Sequence, residues 1–185
     1  MLSKFYSVHQ DAFSSGQVDS KLWLCEKLEK SGIKSKEIAI YGGWYGMTGF
    51  LLLSRGIFNV ERIRSYDIDP DCEVIADMIN ANWIFHGWKF KAFTEDCNKI
   101  IPTADLIINT STEHFDSLDW WNNIPIGTAV ALQGNDMIHE DHSMCASNLD
   151  EFCERFPVQT NIYKGELKFT YTDWGFTRYM LIGIK

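Results

Sequence analysis

Apolar positions along this chain fall into alternating helical and strand rhythms. Residues 18–30, VDSKLWLCEKLEK, place Leu22, Leu24, Cys25 and Leu28 on one side of a helix, with Gly32 as its stop. EIAIYG follows as a short apolar run ending in glycine, the mark of a buried strand. Residues 47–55 read as a helix and RIRSYD as a second strand. Asp69 and Pro70 then stand as N-cap and first helical residue ahead of the helix DCEVIADMINAN. WKFKAF alternates as a third strand, ADLIIN is a fourth and TAVALQ a fifth, and SNLDEFCERF over 147–156 fits a helix.

The last thirty residues break this rhythm. VQTNIYKGELKFTYT and FTRYMLIGIK are two long strand-like runs separated by Asp173, Trp174 and Gly175. Strands joined by so short a connection must be antiparallel. The pattern therefore predicts an α/β fold: a doubly wound, three-layer sheet of seven strands, five parallel and closed at one edge by a hairpin. One domain is expected over 1–185, with the core sheet over 37–185 and residues 1–36 as a helical cap or lid. No repeat or Pro/Gly/Ser linker interrupts the chain, and the four prolines are dispersed.

Charge and cysteine usage narrow the setting. A net charge of −8 and a pI of about 5.0 disfavour an unaided grip on nucleic acid, which draws on clustered Lys and Arg. No apolar run approaches the roughly 20 residues that span a bilayer, and the start, MLSKFYSVHQDAF, lacks a signal core. Five cysteines, none in Cys-x-x-Cys spacing, read as reduced thiols. A cytoplasmic protein without a structural zinc site is expected.

Ligands of open α/β sheets bind at the carboxyl ends of the strands. The turn after the first strand runs Tyr41-Gly42-Gly43-Trp44-Tyr45-Gly46-Met47-Thr48-Gly49. Its glycines permit positive φ and close approach of a ligand to backbone, or serve a tight turn packing helix on sheet. Asp67 ends the second strand about 20 residues further on, where a carboxylate accepts hydrogen bonds from ribose hydroxyls or stands solvated in the loop. Asp96, just past the third strand, suits an adenine amino group or the N-cap of a short turn.

The succession strand–glycine loop–helix, strand–Asp–helix, strand–Asp, with the closing hairpin, resembles the class I S-adenosylmethionine-dependent methyltransferases over about residues 37–185. The resemblance implies the strand order 3-2-1-4-5-7-6 with strand seven antiparallel, S-adenosylmethionine as cofactor and methyl transfer as the reaction. It implies Gly42, Gly43 and Gly46 beneath the methionine and ribose, Asp67 on the ribose hydroxyls and Asp96 on the adenine amine. The loop departs from the family pattern acid-x-Gly-x-Gly-x-Gly in having Ile40 at the acid and Trp44 at the middle glycine. Trp44 then covers the adenosine or sulfonium, a cation–π contact of roughly 0.5–2 kcal/mol, or packs on the sheet edge. A nicotinamide dehydrogenase is disfavoured because Gly-x-Gly-x-x-Gly is missing.

The acceptor side is expected after the fourth strand, at Ile108-Asn109-Thr110-Ser111-Thr112-Glu113-His114. Asn109 is retained from the Asn-Pro-Pro-aromatic pattern of base N-methyltransferases, but Thr110 and Ser111 replace its prolines, which argues against a base amino group as acceptor. No Pro-Cys pair stands there either. His114 or Glu113 would serve as base, or would cap the next helix; Asn109 would bind cofactor or substrate or satisfy a strand end. Asp136, His139 and His142 are spaced like metal ligands, yet a polar loop over the pocket accounts for them and no metal is expected. Trp44, Tyr45, Trp120 and Trp121 could wall an apolar acceptor pocket. The stretch YSVHQDAFSSGQVDSKLW is expected to fold over the cofactor. Without a target-recognition segment, a small-molecule acceptor is favoured. The alternatives are a catalytically silent methyltransferase-like binding subunit, or transfer of an aminopropyl or aminocarboxypropyl group.

Overall fold

The structure is a computed structural model that describes residues 10–185. Helix α1 (Ser15–Lys30) begins where the Ser14 hydroxyl accepts from the Gln17 N–H, at 3.4 Å. Strand β1 (Glu37–Tyr41) leads through the glycine loop to α2 (Met47–Arg55), and β2 (Arg62–Asp67) to α3 (Pro70–Ile79). Asp69 caps α3 by accepting from the Asp71 N–H at 2.9 Å, and Pro70 supplies a preset φ where no N–H is needed. A short α4 (Ala81–Phe85), β3 (Phe90–Thr94), β4 (Leu106–Asn109), a turn of α5 (Asp119–Asn122), β5 (Ala129–Asn135) and α6 (Leu149–Arg155) follow. The hairpin is β6 (Thr160–Thr170) and β7 (Gly175–Ile184).

All seven strands form one sheet in the order β3-β2-β1-β4-β5-β7-β6. The first five are mutually parallel, and β7 runs antiparallel to both β5 and β6. The doubly wound sheet, its hairpin edge and the strand order all match expectation. Period-2 alternation divides the central strands between two cores. Ile38 and Ile40 of β1 join Leu24, Leu28, Leu52 and Phe90 on the α1–α3 side, while Ala39 and Tyr41 join Trp120, Phe152 and Phe156 on the other. Both faces of β4 and β5 are therefore covered, which is why these strands are apolar almost throughout.

Two local expectations change. DCEVIADMINAN is not one helix: it breaks at Asn80, whose buried amide donates to Gly46 O at 3.1 Å and Ala76 O at 2.9 Å. Trp120 and Trp121 do not wall an acceptor pocket at the strand ends; both are buried in the second core, ring-packed with Tyr41, Phe115 and Phe156. Of the proposed lid, residues 6–9 lie outside the described residues. From Asp11 onward the segment lies against the glycine loop, with Ala12 packed beside Tyr45 and Cys72. The five cysteines are all free thiols. Among the described residues no helix is long and apolar enough to cross a membrane.

Candidate functional site

The glycine loop is shaped by its neighbours as much as by any ligand. Gly42 (φ 60°) and Gly46 (φ 74°) take left-handed backbone that favours glycine. Gly43 is glycine for another reason: a Cβ there would stand 1.9 Å from Ser65 Oγ, because the turn lies on β2, donating from Gly43 N–H to Tyr66 O at 2.9 Å. Gly46 caps α2 and packs on α3, where a Cβ would meet Asn80 at 2.7 Å and Ala76 at 3.0 Å. So of the three glycines expected beneath a cofactor, only Gly42 borders the large cleft. Gly43 borders a narrow recess of about 10 Å³, and Gly46 neither.

Trp44 also has positive φ (47°), unusual for a bulky residue, and its ring stacks on Tyr45 at 5.0 Å while bordering the cleft. Its N–H donates to Asp67 Oδ2 at 2.8 Å, fixing the loop to the end of β2. Because the strain lies in the backbone, Trp44→Gly should be less destabilising than Trp44→Ala by about 1 kcal/mol. Urea midpoints of the two variants check this.

Asp67 and Asp96 face a common cleft of about 860 Å³ at the carboxyl ends of β2, β1 and β4. Asp67 Oδ1 accepts from the Asp69 N–H at 3.1 Å, so each carboxylate oxygen has one backbone donor and retains a free lone-pair site. Asp96 does cap a short turn, Cys97–Lys99: it accepts from the Asn98 N–H at 3.0 Å and pairs with Lys99 at 3.1 Å. The Lys99 ammonium and then the Asn98 N–H hold its carboxyl below the usual range.

Beyond Gly42 the cleft continues over the tips of β4 and β5. Asn109 does not border it: fully buried at the end of β4, its Oδ1 accepts from the Ser111 N–H at 2.9 Å and its Nδ2 has no partner among the described residues. Glu113 is buried too, yet borders the cleft. Its Oε1 accepts from Arg178 Nη1 at 3.3 Å and from the Asn135 amide, while Oε2 has no partner among the described residues. Arg178 has no counterpart among the residues singled out in the sequence. The one available signal was its parity in β7, where it shares a face with Met180 and Ile182 in an otherwise apolar strand. Lys21 lies nearby on α1, donating to Gln17 Oε1 at 2.6 Å. Burial, then the Arg178 charge, push its ammonium down to about 7, against an upward pull from Glu113.

His114 is exposed and His142 half-buried, and both border the cleft. The triplet considered as metal ligands does not form. Asp136 instead ties the β5 end to β7, accepting from the Thr177 N–H at 2.6 Å and the Tyr179 hydroxyl at 3.4 Å. Among the described residues the lining is acidic: Asp11, Asp67, Glu95, Asp96, Glu113, Asp116 and Asp141 against Arg178 and three histidines.

These elements define a class I methyltransferase fold, with its cleft at the carboxyl ends of the parallel strands. No protein-family model and no curated protein matches the sequence significantly. Solved structures do resemble this chain. The N-methyltransferase NodS from Bradyrhizobium japonicum WM9, in complex with S-adenosyl-L-homocysteine, superposes with a TM-score of 0.68 at 11% identity, over 92% of this chain and 88% of that one. Magnesium protoporphyrin IX methyltransferase from Synechocystis PCC 6803, with bound S-adenosylmethionine, gives 0.63 at 10% identity, over 91% and 78%. A putative RNA methyltransferase from Pyrococcus horikoshii gives 0.59 at 15% identity, over 92% and 84%. At these identities the likeness is one of fold.

Proposed function

We propose that this protein binds S-adenosylmethionine in the cleft and transfers its methyl group to a small acceptor. The observation that carries the reading is the shared cleft, with Asp67 and Asp96 at one end and the tips of β4 and β5 at the other. Its volume of about 860 Å³ suits a cofactor and a small acceptor together. The donor set fits the adenosyl end. Asp67 keeps a free lone-pair site on each oxygen, as two ribose hydroxyls require, and Asp96 keeps acceptor capacity for an amino group. It fits the methionine amino group less well, since Ile40 is a buried apolar side chain where an acid is usual.

When bound, the cofactor supplies a methyl carbon activated by its sulfonium. The chain's contribution is to hold the acceptor in line with that carbon and keep water away. Among the described residues, seven carboxylates against one guanidinium favour a cationic ligand and repel a polyanion, so a neutral or cationic small molecule is the acceptor this surface suits, and nucleic acid is not.

Calorimetric titration with S-adenosylmethionine and S-adenosylhomocysteine tests the reading. Both should bind, and Asp67→Asn should weaken them roughly 100-fold, the loss of two charge-assisted hydrogen bonds at about 1.5 kcal/mol each. Silence towards both ligands would transfer the fold to a non-catalytic binding role. Product mass separates methyl from aminopropyl or aminocarboxypropyl transfer.

A further inference from the structure

Glu113 and His114 both lie in a short turn at Thr112–His114, shortly after β4. The loop after β5 folds back over that turn: Ser143 and Met144 donate their N–H groups to Glu113 O, at 2.8 and 3.1 Å. This brings His142 against His114, with ring centroids 4.6 Å apart and planes at 88°. One ligand atom each from Glu113, His114 and His142 lies within 4.8 Å of the others.

The hydrogen bonds around the three residues dispose their lone pairs. His114 Nδ1 stands 3.1 Å from Asp141 O, and His142 Nδ1 2.7 Å from Met137 O. A carbonyl oxygen can only accept, so both Nδ1 atoms carry hydrogen and donate. In each neutral ring the lone pair is then on Nε2. Glu113 is 2% exposed; Arg178 and Asn135 hold its Oε1, and Oε2 has no partner among the described residues. A buried carboxylate oxygen left without a donor is costly unless something occupies it. Imidazoles fixed by backbone carbonyls, beside a carboxylate fixed by its other oxygen, are how proteins orient metal ligands.

We infer that Glu113, His114 and His142 form a binding site for a divalent transition-metal cation at the acceptor end of the cleft. Two imidazoles and one carboxylate suit Zn²⁺, Fe²⁺, Mn²⁺ or Co²⁺ and disfavour Mg²⁺ and Ca²⁺, which take oxygen ligands. Asp116 and Asp141, which line the same cleft, add attraction for a cation against the repulsion of Arg178, whose guanidinium is bonded to Glu113 Oε1. Three protein ligands leave coordination positions open, and all three residues border the cleft, so the positions face the acceptor. The acceptor class is accordingly a small molecule with an oxygen donor beside its methyl-accepting atom. This role, though not the cation site itself, rests on the methyl-transfer reading. Glu113 and His114 would then act as ligands in place of the base expected from the sequence.

The test uses tag-free full-length protein stripped with a chelator and titrated with Co²⁺, followed by its visible absorption. One equivalent should bind with bands of an imidazole–carboxylate site, and Zn²⁺ should displace it. His114→Ala and His142→Ala should each weaken Co²⁺ binding by more than the 10–100-fold that loss of an outer-shell partner causes, whereas His86→Ala should leave it unchanged. Acetohydroxamate, a two-oxygen chelator, should shift the bands of the cobalt-loaded protein. No saturable binding, or binding unaltered in both histidine variants, would overturn the site. Binding without a band shift would overturn its acceptor-holding role. Because Co²⁺ is titrated without cofactor, these outcomes are separate from the S-adenosylhomocysteine titration that tests the methyl-transfer reading.

Discussion

Arg178→Met should destabilise the protein by about 3–5 kcal/mol, a fall in Tm on the order of 10 °C. Arg178 and Glu113 are both almost completely buried, and their side chains meet at 3.3 Å. Removing the guanidinium strands the Glu113 carboxylate in the interior with the Asn135 amide as its one side-chain donor among the described residues. It also releases Thr110 O, to which Arg178 donates at 3.3 Å. The double variant Glu113→Gln/Arg178→Met should recover much of the loss, since no buried charge is then orphaned. Equilibrium urea unfolding of the single and double variants checks both statements. A single variant as stable as the parent would show that the pair is hydrated.

The second large effect has the opposite sign. Lys21→Met should stabilise the protein below pH 7 by several kcal/mol. Lys21 ionises at about 7 in the folded chain, against 10.5 for an ordinary lysine. Between these values the unfolded chain binds the extra proton, so stability rises with pH through that window. Below pH 7 the full cost of the buried ammonium is present, up to roughly 5 kcal/mol for a shift of this size. Charges facing Lys21 are Arg178, which opposes protonation, and Glu113 and Asp11, which favour it. The parent should therefore gain stability from pH 6 to pH 8.5, and Lys21→Met should flatten that rise. Above about pH 9 the buried thiols of Cys25, Cys72 and Cys97, each pushed up to about 12 by burial, reverse the trend because the unfolded chain loses their protons first. A parent whose urea midpoint stays constant from pH 6 to pH 8.5 would mean that Lys21 keeps its ordinary proton affinity. The two substitutions are coupled: with Arg178 gone, Lys21 loses a repelling neighbour and its ionisation moves back up.

Much of the fold was legible because its determinants are local. The apolar run EIAIY, the Asp69–Pro70 start and the alternation of the hairpin each lie within a few residues of the structure they specify. The glycine loop was legible as a loop, and Asp67 and Asp96 as residues at strand tips that share a cleft. The roles of the glycines were not. Gly43 and Gly46 answer to Ser65 and Asn80, side chains on other elements whose approach no local pattern records. Trp120 and Trp121 were misplaced for a related reason: position after a strand end predicts proximity to a cleft, but the rotation of a four-residue helix decides whether a ring faces it or the core.

By itself the sequence determined the elements, their direction and the strand ends where ligands gather, since periodicity, caps and turn chemistry act over a few residues. Only the tertiary structure decided which strand tips became neighbours. The register Asn135↔Arg178 carries a guanidinium from the last strand to Glu113, and a loop folded over one short turn brings His142 to His114. Those meetings depend on strand register and chain return across tens of residues, where pairing geometry and burial, not local propensity, set the outcome.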